Sequence, residues 1–587
     1  MDASTVLRQS PLFEDLGDEE VGALARSARL LEIASGSQLY ARGTACDSIY
    51  IVASGQLRAI YDAGRIVASI TRLEPTGEIS AVMNEPHSAD VYAVRDSVVV
   101  QLPVAELLAT LRHFPDAMLR LMRMITRRLR QNAHTQSRTT VRRRNSFAVI
   151  YGTPGAAAQQ VAQRLNAELH NVSASLLVDA ASVDAVLGAG ASAADSNGGN
   201  HRLVEYLNTL EAEHPHLVLL SNPQADAWAR RCMAQADRIL VVIDPQSQPD
   251  SAMVEMLRGS GAQAPVEVVM LRPDGAGVGE LLRWMDKLDA AGHFFVRPQL
   301  ESDWKSLSRQ LSGRGIGVVF GGGGARGFAH LGLLRAMQEL DLPVDLVGGT
   351  SMGAFFAALT ACGYDHEEQR RIARETFVNR NFLNDYLLPT ISLIRGRKFT
   401  QRLHDIFGER SIESLRKPFF CVTTNLTRGR ASVHRSGPLY LWTATSMSVP
   451  GVAPPLVCEG ELHADGAVIN SLPTDVMQGM ERGAIIASDV STEGGIAAPG
   501  IKGPDPEGLF RYKDAEAPRL FSILFRTATL TSESGVAQRA ARADCYLRMP
   551  VSRIGMFDWK RMDEIIDRGY QHAMAQLSPL RDALLPG

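Results

Sequence analysis

Gly349-Thr350-Ser351-Met352-Gly353 lies where a short apolar run, DLV, gives way to a helical one, AFFAALT. Glycines two residues before and two residues after a serine let a chain turn sharply from a strand into a helix with little steric conflict. A chain that makes this turn needs a buried strand ahead of it and a packed helix behind it. That requirement favours alternating strands and helices in layers. The turn leaves the serine hydroxyl exposed at the helix N-terminus, where the helix dipole favours developing negative charge. The same five residues also fit a plain glycine-rich turn with a helix-capping serine, so the motif alone leaves both open.

The region around it repeats the pattern. IGVVF reads as a strand, GGGGARG as a turn and FAHLGLLRAMQEL as a helix, and α/β alternation continues to a C-terminal helix over Met562–Leu577. Backbone amides in a glycine run can approach a ligand oxygen closely, which suits an oxyanion hole or a phosphate cradle. Gly322, Gly324 and Gly327 also satisfy GxGxxG. A dinucleotide site, however, wants an acid closing the next strand, about 20 residues on. Asp345 opens that strand instead, which favours the oxyanion hole. A nucleophilic serine needs a base, and His330, His463 and Asp465 are the candidates. His330 falls inside the helical pattern, as a packed residue would. Asp465 stands in HADGA, where it could accept the serine proton directly if held within hydrogen-bond reach. Asp-Gly is equally a common turn signal, so the residues alone leave the base open.

At 587 residues the chain exceeds one hydrophobic core, and about 150 residues per domain predicts three or four units. From about residue 10 to 111, short alternating apolar runs such as SIYIVASGQLRAIYDAGRIVASI are punctuated by Gly43, Gly55 and Gly64. Ile49, Ile51, Leu57, Ala59 and Val67 recur at strand spacing, which predicts a small β-roll. Met118, Leu121, Met122, Ile125 and Leu129 then recur at helical spacing, and HTQSRTTVRRRNS reads as a linker. Between about 146 and 297, FAVIY, SLLVDA, LVLLS, RILVVID and VEVVMLR are the continuous apolar runs of buried parallel strands, with helical stretches such as AAAQQVAQRLNAEL between them. Residues 187–200 form a small polar loop. Gly152-Thr153-Pro154-Gly155 follows the first of these strands but lacks the Gly-Lys-Ser/Thr that grips phosphates and Mg²⁺, which argues against an ATPase.

Residues 120–144 hold nine arginines, from Arg120 to Arg144, and no acid. A solvated helix face and linker account for such a run, and so does docking on anionic lipid, where each basic residue contributes roughly 1 kcal/mol. The formal net charge of −3 and the absence of a recognisable reading module argue against nucleic acid. Six cysteines without CxxC or metal spacing predict free thiols in a reducing compartment and no metal. The start, MDASTVLRQSPLFEDLGDEE, is acidic, and no run reaches the roughly 18 apolar residues of a spanning helix. A cytoplasmic, membrane-peripheral protein is the expectation.

GGGGARG, GTSMG and DGA, in this order, resemble the patatin-like phospholipase family, and TSMSVPGVAPPLVCEGELHADGAVINSLPTDVM resembles its stretch around the catalytic aspartate. The resemblance implies a Ser-Asp dyad without histidine, in which Ser351 is the nucleophile and Asp465 its base. It assigns the oxyanion to the backbone around Gly322, Gly323 and Gly324, with Arg326 supporting that loop, and requires no cofactor. DIFGERSIESLRKPFFCVTTNLTRGRASVH and MDEIIDRGYQHAM look like the neuropathy-target-esterase branch, which implies lysophospholipid or phospholipid substrates.

YARGTACDSIYIVASGQLRAI and Gly77-Glu78-Ile79 resemble a cyclic-nucleotide-binding domain, whose glutamate meets the ribose. The place of its phosphate-pairing arginine falls on His87, while Arg95 falls in the next strand. A neutral imidazole cannot replace a bidentate guanidinium, so weak or no cyclic-nucleotide binding is expected. The expected architecture is a multidomain α/β chain. It comprises a cyclic-nucleotide-binding-like β-roll at 1–131, a basic linker at 132–145, a Rossmann-like α/β domain at 146–300 and a patatin-type α/β hydrolase at 315–580. Two alternatives remain on the sequence: a catalytically silent lipid- or nucleotide-responsive regulator, and a lipid acyltransferase.

Overall fold

The computed structural model describes residues 2–13, 16–61, 65–94, 96–113, 145–155, 157–193, 200–244, 247–248, 250–259, 264–271, 278–380, 385, 391–491, 527, 530, 532 and 535–585. The expected helix at 118–129, the arginine run at 120–144, the linker, Arg95, Gly64 and most of the loop tip at 194–199 lie outside the described residues. The chain divides into two compact units, Met1–Ser308 and Arg309–Gly587.

The first unit begins with a β-roll of strands β1 (Arg29–Ile33), β2 (Gln38–Tyr40), β3 (Ser48–Ser54), β4 (Leu57–Tyr61), β5 (Arg65–Ile70), β6 (Pro75–Thr76), β7 (Asp90–Ala93) and β8 (Ser97–Pro103). They form two four-stranded antiparallel sheets, β1-β8-β3-β6 and β2-β7-β4-β5. Successive side chains of a strand point to opposite faces. On β3 this sends Ile49, Ile51 and Ala53 into a core with Val6, Leu7, Val21 and Leu24 of the N-terminal helices, and Val52 into a second core with Leu57, Val91 and Val99. The expected roll is therefore observed.

The same unit continues into a six-stranded sheet with strands β9 (Asn145–Tyr151), β10 (Ser175–Val178), β11 (His216–Leu220), β12 (Arg238–Ile243), β13 (Val266–Leu271) and β14 (Gly292–Val296). Its order is β10-β11-β9-β12-β13-β14, parallel throughout. Thr153, fully buried after β9, accepts the Asp244 amide on its hydroxyl at 3.0 Å, so this turn is spent on packing against the end of β12. Arg231 pairs with Asp96 at 2.6 Å, and the Asp96 amide donates to the Ala234 carbonyl at 3.0 Å, tying the roll to this sheet.

The second unit is built on strands β15 (Gly315–Phe320), β16 (Leu346–Thr350), β17 (Phe419–Asn425), β18 (Arg430–His434), β19 (Leu456–Cys458), β20 (Glu461–Asp465), β21 (Gly483–Asp489) and β22 (Cys545–Arg548). The order is β19-β20-β17-β16-β15-β21-β22, with β18 also paired to β17. Strands β17, β16, β15, β21 and β22 are parallel, while β18 and β20 run antiparallel to β17. Five helices matter to the site: α1 (Ala329–Glu339), α2 (Met352–Cys362), α3 (Arg397–Phe407), α4 (Leu439–Ser446) and α5 (Met562–Leu577). Helix α2 is buried over all its residues from Met352 to Ala361, as a helix apolar on every side must be. It contains the AFFAALT run, an apolar stretch too short to span a bilayer, which is here spent on the core. Among the described residues no helix is long and apolar enough to cross a membrane. Asp345 ahead of β16 is held by Arg309 at 2.7 and 2.9 Å and accepts the Ile316 amide at 3.0 Å, a structural role. All six cysteines are unpaired.

Candidate active site

Strand β16 ends on Thr350, and the next residue, Ser351, is the N-cap of α2 with φ 55° and ψ −126°. A positive φ at a non-glycine residue is strained and persists only where the surroundings impose it. Here the surroundings are close. A Cβ on Gly353 would stand 2.1 Å from the Phe320 carbonyl oxygen, and one on Gly349 would stand 2.6 Å from the Gly353 backbone. The turn fits only with glycine at both places. The Ser351 amide donates to the Ser446 hydroxyl at 3.0 Å, and that hydroxyl donates to the Val422 carbonyl at 2.6 Å. Helix α4 and strand β17 thus hold the turn from the other side.

Asp465 ends β20, whose pairing with β17 sets Asp465 opposite Thr423. Its Oδ2 accepts the Ser351 hydroxyl at 2.7 Å, and its Oδ1 accepts the Ala467 amide at 2.8 Å. The aspartate is 1% exposed. Burial pushes its pKa up to about 7, against the pull of the Ala467 amide and the Ser351 hydroxyl. Ser351 thus has a carboxylate as its side-chain partner, poised to exchange a proton near neutrality.

Neither histidine is in reach. His330 is fully buried in α1, with Nδ1 2.8 Å from the Ser488 hydroxyl and Nε2 2.9 Å from the Gly321 carbonyl. A carbonyl can only accept, so Nε2 carries the proton and Nδ1 accepts from Ser488. Burial lowers the His330 pKa to about 4, and the ring stays neutral. His463 sits in β20 with Nδ1 3.1 Å from the Thr423 hydroxyl, whose other neighbour is His434 Nε2 at 2.7 Å.

The glycine turn after β15 packs against the serine: a Cβ on Gly322 would lie 3.2 Å from the Ser351 Cβ. The Gly322 amide donates to the Ser471 carbonyl at 3.0 Å and the Gly321 amide to the Ser488 carbonyl at 2.9 Å. Both N–H groups are therefore committed to the fold. Gly323 and Gly324 follow in the same turn, and Gly324 lines the cavity that opens at Ser351. Arg326, 6% exposed, donates from Nε to the Gly323 carbonyl at 3.0 Å and braces the loop from within. Burial draws its pKa down to about 10, opposed by Asp489.

In front of Ser351 opens a cavity of about 630 Å³. Phe377, Ile394, Phe399, Tyr440, Val449 and Trp559 give it apolar walls, while Arg395, Arg397 and His404 also line it. No cluster of metal-ligating side chains occurs among the described residues. The sequence singled out Ser351, Asp465 and the glycine loop. It gave no role to Ser446, Ser471 or the cavity wall, because Ser446 meets Ser351 across 95 residues of chain and Ser471 meets Gly322 across about 150.

In the β-roll, Gly77 adopts a left-handed φ of 85° and Glu78, 4% exposed, opens the helix Glu78–Met83. His87 is 4% exposed and stacks on Tyr40 at 3.7 Å between ring centroids, with its Cε1 3.4 Å from where a Gly77 Cβ would stand. Desolvation lowers its pKa, so it offers an anion no charge.

A mixed sheet whose parallel strands deliver a serine on a strained turn, facing a buried carboxylate and an apolar cavity, brings together the parts found in serine hydrolases of α/β architecture. Comparison with known proteins narrows this. Residues 318–477 match the family described as patatin-like phospholipase, 145–313 the neuropathy target esterase family P-loop like domain, and 30–114 the cyclic nucleotide-binding domain. Residues 318–477 thus match a patatin-like phospholipase domain, and the stretch before them matches the P-loop like domain of the neuropathy target esterase family. An uncharacterized NTE family protein of Mycobacterium tuberculosis is 29% identical over 99% of this chain and 97% of its own. Human patatin-like phospholipase domain-containing protein 6 is also 29% identical, over 92% of this chain but only 44% of its own length. Mouse patatin-like phospholipase domain-containing protein 7 gives the same three figures.

Proposed function

We propose that this chain hydrolyses acyl esters of lysophospholipids and phospholipids through a Ser351–Asp465 dyad and an acyl-serine intermediate. The observation that carries this is the 2.7 Å hydrogen bond between Ser351 and a buried aspartate at the edge of a largely apolar cavity. Ser351 Oγ attacks the ester carbonyl carbon as Asp465 takes its proton, and the amides of Gly323 and Gly324 receive the oxyanion. Collapse breaks the ester bond, and the departing alcohol takes the proton back from Asp465. Water then attacks the acyl-serine, giving its proton first to Asp465 and so to Ser351, and the fatty acid leaves. A base titrating near 7 is half ready at neutral pH and still acidic enough to return the proton.

The reading also keeps the three-domain division at 1–131, 146–300 and 315–580, and contact of the Arg120 to Arg144 stretch with an anionic membrane surface. The test is labelling with a fluorophosphonate, which reacts with activated serines, together with mass spectrometry of products from lysophosphatidylcholine. Labelling at Ser351 and release of free fatty acid are expected. An unlabelled, inert protein would be a regulator instead, and acyl appearing only on a second lipid would make it an acyltransferase.

A further inference from the structure

Arg395 and Arg397 line the same cavity as Ser351 and are both solvent-exposed. The segment that carries them is pinned. The Leu393 and Ile394 amides donate to the Gly451 and Val452 carbonyls at 3.1 and 3.0 Å, and the Arg395 amide donates to the Asp385 carbonyl at 2.8 Å. Ile394, 4% exposed, is part of the apolar wall, so the two arginines stand directly beside it. Elsewhere in this unit arginines find acids: Arg402, on helix α3 with Arg397, pairs with Glu375, and Arg374 with Asp563. Among the described residues neither the Arg395 nor the Arg397 guanidinium makes an ion pair or side-chain hydrogen bond. The carboxylate of Asp385 accepts the Lys398 amide at 3.2 Å instead. No Asp or Glu lines the cavity among the described residues, and His404, which also lines it, is bonded to Glu409 at 2.7 Å.

One cavity thus presents a nucleophile, an apolar wall and two uncommitted guanidinium groups. An acyl ester alone explains the first two. Unpaired arginines at a site are suited to a planar, bidentate grip on a phosphate. We propose that Arg395 and Arg397 form a subsite for the head-group phosphate of the lipid, so that this site selects phosphate-bearing glycerolipids over neutral acylglycerols. This rests on the acyl-ester reading given above.

The full chain and its R395Q, R397Q, R395Q/R397Q and R395K/R397K variants test it. Each is assayed on lysophosphatidylcholine and on a monoacylglycerol of the same acyl chain, both below the concentration at which they aggregate, so that attraction to a membrane plays no part. The ratio of kcat/KM for the phosphate-bearing over the neutral substrate falls about 10- to 100-fold in the double glutamine variant, mainly through KM. The double lysine variant keeps part of the ratio. An unchanged ratio, or an equal fall on both substrates, overturns the subsite.

Binding to Ser351→Ala protein separates this from the hydrolase reading. An ether-linked lysophosphatidylcholine should bind, and should bind more weakly when R395Q/R397Q is added. Inorganic phosphate binding as tightly as the lysolipid would assign the arginines to a free anion and overturn the head-group subsite. Arginine-dependent lysolipid binding by a wild-type chain that hydrolyses no ester would sink the hydrolase and keep the phosphate subsite.

Discussion

Ser351 and Asp465 meet across 114 residues of chain, and their 2.7 Å contact sets what each can do. Ser351→Ala and Asp465→Asn should each lower ester hydrolysis by about a thousand-fold or more while the fold persists. His463→Ala should not match that loss, and a steady-state assay on a soluble ester decides it. Retained activity in Asp465→Asn would mean another base. The pH profile follows from the raised aspartate: kcat/KM should rise about tenfold per unit below about 7 and level off above it. Linkage gives a second sign. The folded state holds this proton more tightly than the unfolded chain, whose value is near 3.8, so the contribution is fully present below that value and is lost as pH rises through about 7. Asp465→Asn should therefore raise the thermal midpoint at pH 8 and leave it nearly unchanged at pH 4. The strand-turn-helix geometry around Ser351 was legible in GTSMG because the turn has a local glycine signature. The base was not legible from the residues alone. His330, His463 and Asp465 all stood near the motifs, and only tertiary contacts show that both ring nitrogens of His330 are already committed.

Helices α1 and α5 cross so closely that each uses a glycine at the contact. A Cβ on Gly332 would stand 2.3 Å from the Ile566 carbonyl, and one on Gly569 would stand 2.5 Å from the Ala329 carbonyl. Neither neighbour is a flexible side-chain end, so Gly569→Ala should cost about 2 kcal/mol and lower the unfolding midpoint of the second unit by roughly 4–8 °C in calorimetry. An unshifted midpoint would show that the helices separate cheaply. Helix α1 follows directly on the glycine loop, whose brace is Arg326. Arg326→Met, which keeps bulk but removes the donor to the Gly323 carbonyl, should lower kcat about 100-fold with little change in KM if, as proposed, the loop holds the oxyanion of the transition state. Strands β9 to β13 were visible in the sequence as apolar runs because parallel strands covered on both faces carry few polar residues. Strand β14, GHFFV, is the outer neighbour of β13 alone and only two of its five residues are buried, so it left no continuous run to read.

At the scale of the whole chain, the β-roll shares one polypeptide with the unit that carries Ser351 and Asp465. Its fold and the Gly77-Glu78 turn match a cyclic-nucleotide-binding domain, but a cyclic phosphate needs a positive partner where Glu78 and the turn would hold the sugar. The place where sequence puts that partner is filled by His87. Its ring is buried, stacked on Tyr40 and packed beside Gly77, and desolvation keeps it neutral. Admitting a nucleotide phosphate would require breaking the Tyr40 stack and would gain no charge in return. Tyr40 is tied down as well, through its hydroxyl to Thr76 at 2.5 Å. The full chain should therefore show no heat of binding with cyclic AMP or cyclic GMP at about 100 μM, and its hydrolysis rate should change less than about twofold. Affinity in the low-micromolar range, roughly −8 kcal/mol, would mean that His87 swings out and another cation takes the phosphate.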